Sequence, residues 1–130
     1  MIAIDQTFWL ERLRELGWTQ YRFGGDDAGP ELVAHAFFWR TCADVVIVKD
    51  ARTATAYRAL PCRDVFQPVH ITRMTAGPMN RVLREALTWP EPGTVRESNP
   101  MTAPPGCGLP LDLRRPVTIR PLNRDDRGPW

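Results

Sequence analysis

Lysine and serine are almost missing from this chain: Lys49 and Ser98 are the only examples of each. A single serine in a proline-rich stretch, with no Gly-x-Ser-x-Gly elbow, closes off serine-nucleophile chemistry. Schiff-base chemistry would depend on Lys49, which belongs to a predicted hairpin tip with no apolar pocket to lower its pKa. Cysteine is sparse and odd in number (Cys42, Cys62, Cys107), with no Cys-x-x-Cys pair. That is not the framework of a disulfide-stapled domain. There is no long hydrophobic run either. The stretch Ala34 to Trp39 is broken by His35 and is far short of the ~20 apolar residues that cross a bilayer. Charged residues within 1–16 (Asp5, Glu11, Arg12, Arg14, Glu15) interrupt any secretory leader. The expectation is a cytoplasmic protein with reduced thiols and no membrane partner.

Charge of one sign is also lacking. Seventeen basic and 15 acidic residues give a net charge of +2, and the two signs are interleaved. Of the basic residues, 16 are arginine. Arginine suits phosphate and carboxylate recognition, but the same bias follows from the codon usage of a GC-rich bacterial genome. The glycines Gly24, Gly25 and Gly29 lack the spacing of a P-loop or a dinucleotide fingerprint.

What is present describes one globular domain: 130 residues, 43% hydrophobic and 25% charged. Trp9, Leu13 and Leu16, with Leu10 beside them, predict a helix over residues 5–16. Asp5 is its cap, Gly17 its stop, and Trp18 is placed to fold back on Leu13. A short strand is expected at 19–23. Residues 31–40 combine Pro30 with Phe37, Phe38 and Trp39. A strand is the favoured reading, and periodicity leaves helix open over so short a run. The β-rich runs 44–49 and 53–58, divided by Asp50-Ala51-Arg52, predict a hairpin. If Lys49 faces Thr53, then Ile47 faces Thr55, Val45 faces Tyr57, and Asp44 faces Arg58 as an opposite-charge pair. A strand is expected at 65–74. Met79, Val82, Leu83, Ala86 and Leu87 give a second amphipathic helix, opened by Pro78 and stopped at Trp89-Pro90, with Arg81, Arg84 and Glu85 facing outward.

Nine of the 13 prolines lie in residues 90–130. The expected organisation is therefore an α+β domain over 1–90, followed by a proline-rich extended C-terminal arm over 91–130. The domain comprises an N-terminal helix, a three- to four-stranded mostly antiparallel sheet and a C-terminal helix. Within the arm, Leu111, Leu113, Val117 and Ile119 alternate with polar residues, and 109–122 is expected to dock, partly as a strand near 116–120. Residues 91–106 should be a looser connector.

Three functional readings compete. The leading one is a non-enzymatic adaptor that binds a protein partner, or itself, through the sheet and the arm, with Leu111, Leu113, Val117 and Ile119 as anchors. The second is nucleic-acid binding through Arg81, Arg84, Arg114 and Arg115. The third is a Cys/His site, either catalytic or a zinc site, built from His35, Cys42, Cys62 and His70. It lacks standard ligand spacing. No cofactor is implied. The tryptophans and phenylalanines are assigned to the core rather than to a base-stacking platform. The segments Cys-Ala-Asp-Val-Val-Ile-Val-Lys-Asp (42–50), Ala-Thr-Ala-Tyr-Arg (54–58) and Leu-Thr-Trp-Pro-Glu-Pro-Gly (87–93) resemble small actinobacterial proteins over about residues 35–93. The resemblance carries no motif tied to chemistry and implies no activity.

Overall fold

The computed structural model describes residues 4–24, 32–94, 99–109 and 116–120, with the side chains of 4–7 and 116–120 left aside. Its elements run α1 (Ile4–Glu15), β1 (Thr19–Phe23), β2 (Leu32–Phe38), β3 (Ala43–Asp50), β4 (Thr53–Ala59), β5 (His70–Gly77), α2 (Met79–Ala86), β6 (Met101–Thr102) and β7 (Pro116–Arg120). The class is α+β, as expected. The sheet is larger than the three to four strands expected: seven strands in the order β6-β5-β4-β3-β2-β1-β7, every neighbour antiparallel. Six of them run five to eight residues and β6 has only two. The extra strands come largely from the arm, which supplies both sheet edges. Residues 31–40 resolve in favour of strand.

The sheet buries two faces, and this explains the run Val45-Val46-Ile47-Val48. A strand covered on both sides needs apolar residues at every position instead of alternation. Val46, Val48, Ala54 and Ala56 meet Leu13, Trp18, Met79, Val82, Leu83 and Ala86 from the helices. The alanines of β4 let α2 lie close. Val45, Ile47, Tyr57, Ala59 and Ile71 face the other way, where Val65, Phe66 and Leu109 cover them. On α2 the faces fall as expected, with Met79, Val82, Leu83 and Ala86 buried and Arg81, Arg84 and Glu85 exposed.

Helix α1 stops as its sequence predicts. Gly17 takes φ 86°, Trp18 N–H donates to the Leu13 carbonyl at 3.1 Å, and both side chains are buried. The stripe is narrower than expected, however, since Leu10 and Leu16 are exposed.

The β3–β4 register pairs Asp44 with Arg58, Val45 with Tyr57 and Ile47 with Thr55. A register shift near the turn pairs Thr53 with Asp50 in place of Lys49.

The fifth strand starts at His70, not at 65. Asp64 turns the chain first, accepting from Phe66 N–H at 2.9 Å on its side chain and from Gln67 N–H at 2.9 Å on its main chain. Pro68 follows and cannot donate to a ladder. A bulge then leaves Thr72 unmatched, because Arg73 pairs with Arg58 and Ile71 with Ala59. It shifts the alternation, so that Ile71 and Met74 share a face.

The arm returns under this face. Leu109 N–H donates to the Phe66 carbonyl at 3.0 Å, and the Gln67 side chain donates to the Leu109 carbonyl at 3.1 Å. Gly108 has φ 93°, and a Cβ there would lie 2.6 Å from the Phe66 carbonyl oxygen, so only glycine fits the approach.

Candidate functional site: a tryptophan pocket over a buried ion pair

The antiparallel register places Asp44 of β3 directly opposite Arg58 of β4. The helices cover this face, so the expected opposite-charge pair is buried, with the two side chains at most 4% exposed. Arg58 Nε donates to Asp44 Oδ1 at 2.6 Å and Arg58 Nη2 to Oδ2 at 3.0 Å. This side-on geometry is the strong form of the contact. The indole Nε1 of Trp39 donates to the same Oδ2 at 3.0 Å, and Arg58 Nη2 also donates to the Pro90 carbonyl at 2.8 Å. The Arg58 guanidinium carbon sits 5.9 Å from the centroid of the Trp89 ring, a cation–π distance.

Above this pair opens a pocket of about 190 Å³, lined by Leu16, Trp18, Phe37, Trp39, Asp44, Ala86, Leu87 and Trp89. Its walls come from element ends. Trp18 follows the α1 stop, Trp39 follows β2, and Trp89 follows α2. Ring packing fixes the first two, with Phe37 centred 5.8 Å from Trp18 and 4.7 Å from Trp39. Three acceptor positions of the Asp44 carboxylate are taken by Arg58 and Trp39, so it serves as a structural anion. The arrangement offers a preformed apolar cavity with flat aromatic walls, suited to holding an apolar group.

The residues proposed from sequence lie elsewhere. His35, on β2 opposite Val46, is buried; desolvation lowers its pKa to about 4, and its Nδ1 has no hydrogen-bond partner among the described residues. His70 is exposed at the start of β5, three strands away. Cys42 is buried, and Cys62 and Cys107 are half-buried. The Cys62 thiol donates to the Asp64 carbonyl at 3.3 Å, and burial raises its pKa. Burial pushes Cys107 up to about 11. At both Cys62 and Cys107 burial therefore disfavours the thiolate, the form a nucleophilic cysteine uses. Among the described residues, no three His, Cys, Asp or Glu side chains gather to share a metal ion.

Arg84 is exposed on α2, while Arg81 is engaged, donating to the Ala76 carbonyl and lying beside Thr75 and Glu85. Val117 and Ile119 belong to β7, whose backbone pairs with β1, Ile119 opposite Tyr21. Leu111, Leu113, Arg114 and Arg115 lie outside the described residues. The pocket itself was missed because its tryptophans were assigned to the core. The available signal was their position, each just past the end of an element, together with the Asp44–Arg58 pairing.

Comparisons with protein families, curated proteins and solved structures return no match. Among the described residues, no helix is long and apolar enough to cross a membrane.

Proposed function

We propose that the protein is a small non-enzymatic adaptor that binds a partner protein by receiving one of its apolar side chains in the tryptophan pocket. The pocket is the observation that carries this reading. It is preformed, its volume of about 190 Å³ suits one large side chain, and its aromatic walls are braced by an ion pair. Anchoring of a partner side chain in such a pocket typically dominates interface energy. The sheet and arm then act as the frame around the contact, since β7 already uses one edge to pair with β1. The raised thiol pKa values of Cys62 and Cys107 favour this reading over a Cys/His enzyme. The engagement of Arg81 within its own domain favours it over a nucleic-acid surface.

The test is affinity capture from the native host with the wild-type protein and Leu16→Arg side by side. Leu16 sits at the pocket wall and is 40% exposed, so the substitution obstructs the cavity without emptying the core. A partner held by the wild type should be lost from Leu16→Arg while the melting temperature is unchanged. An identical partner set for both proteins would refute the pocket as the site.

A further inference from the structure

We infer that the partner side chain received by the pocket is a tryptophan, held by its indole N–H on the remaining acceptor position of Asp44. The inference rests on the reading of this cavity as the partner site and says which group fills it. An ionised carboxylate offers about four acceptor positions on its two oxygens. Arg58 Nε takes one on Oδ1, while Arg58 Nη2 and Trp39 Nε1 take both on Oδ2. Among the described residues, no second donor reaches Oδ1. Asp44 is otherwise buried and lines the pocket, so a further donor comes to it from the cavity. An occupant that is apolar throughout would exclude water and leave that position unpaired, which is costly for a charged group. An occupant with a donor at its tip avoids this cost.

Three properties of the site narrow the donor. It is neutral, because Arg58 already compensates Asp44 at 2.6 Å, and an entering cation would meet the guanidinium that lies 5.9 Å from the Trp89 ring centre. It belongs to an aromatic ring, because Trp18, Phe37, Trp39 and Trp89 wall the cavity with ring faces and edges, against which another ring packs best. And it brings no acceptor with it. The indole N–H is a donor only, so one hydrogen bond satisfies it, whereas a phenol carries lone pairs that call for further donors. Trp39 makes this very contact to the same carboxylate at 3.0 Å. The partner's ring repeats it on the other oxygen.

The test uses the full chain and two isomeric probes of equal size. One is 3-methylindole, the tryptophan side chain itself; the other is N-methylindole, in which a methyl replaces the donor hydrogen. Binding is read from the protein's own tryptophan N–H signals in proton–nitrogen NMR. The first probe should shift them saturably, and the second should bind at least ~tenfold more weakly, the worth of one hydrogen bond to a charged acceptor. Leu16→Arg should abolish the shifts while the rest of the spectrum keeps its folded dispersion, and tetramethylammonium should leave the signals unmoved. Equal binding of the two isomers at a site that Leu16→Arg blocks overturns the inference and leaves the pocket a plain apolar socket. Tighter binding of tetramethylammonium than of 3-methylindole overturns it in favour of a cationic anchor. If neither ring binds in a Leu16-dependent way the inference also falls, and the capture experiment decides separately whether the pocket holds a partner.

Discussion

His35 should make the protein acid-sensitive over a defined interval. Its imidazole lies on β2 opposite Val46 and beside Gln20 of β1, buried, with no partner for Nδ1 among the described residues. Desolvation lowers its pKa from 6.5 to about 4, so the folded protein holds this ring neutral at a pH where the unfolded chain has already protonated it. Between these two values the unfolded state binds more protons, and stability must rise with pH. The contribution is fully present above pH 6.5, declines as pH falls, and is exhausted near pH 4. At ~1.4 kcal/mol per pH unit the total loss is ~3 kcal/mol, a large share of the ~5–15 kcal/mol that holds a typical domain. Urea unfolding at steps across this interval measures it, with His35→Leu as the comparison. The wild type should lose stability on acidification and the variant should lose much less. Parallel curves for the two proteins would refute the reasoning, since the proton uptake would then belong to other groups.

Three further outcomes are expected. Arg58→Met leaves the Asp44 carboxylate buried without its cation and should cost ~3–5 kcal/mol in denaturant unfolding, whereas Asp44→Leu combined with Arg58→Met should cost far less than the two singles added. Leu83→Ala empties the buried face of α2 and should cost ~2–5 kcal/mol, while Arg81→Ala on the exposed face should cost under ~0.5 kcal/mol; equal melting losses would mean the faces are reversed. Deleting residues 107–130 removes Leu109 from the second core and uncovers the β1 edge, so the truncated protein should melt earlier and bind more of a hydrophobic dye.

The central hairpin was legible because its signals agree. The β-branched run, the short turn and the charge pair Asp44–Arg58 specify one register, and only the shift near Asp50 departs from it. Both helices were legible from their apolar spacing and from Gly17 and Pro78. The start of β5 was not, because Val65 and Phe66 look like strand residues although Asp64 ties them into a turn. The bulge at Thr72 has no sequence signature of its own. The strand near 116–120 was legible from its alternation and is β7, whereas the two-residue β6 owes its existence to a partner far away in the chain, which no local pattern reveals. The same reason hid the pocket: Trp18, Trp39 and Trp89 are close only because three separate elements end at one place.

The pairing of β1 with β7 has a consequence for synthesis. Gln20 lies opposite Arg120, about a hundred residues later in the chain. On a ribosome the first strand is made about a hundred residues before its outer neighbour. At ~5–20 residues per second the nascent β1 edge stays bare for several seconds. Contacts of such long sequence separation also close slowly once the chain is free. Strand β7 thus acts as a fastener applied after the six strands before it have been made. A stalled or prematurely ended chain carries an unprotected strand, the hallmark that quality-control factors and aggregation both recognise.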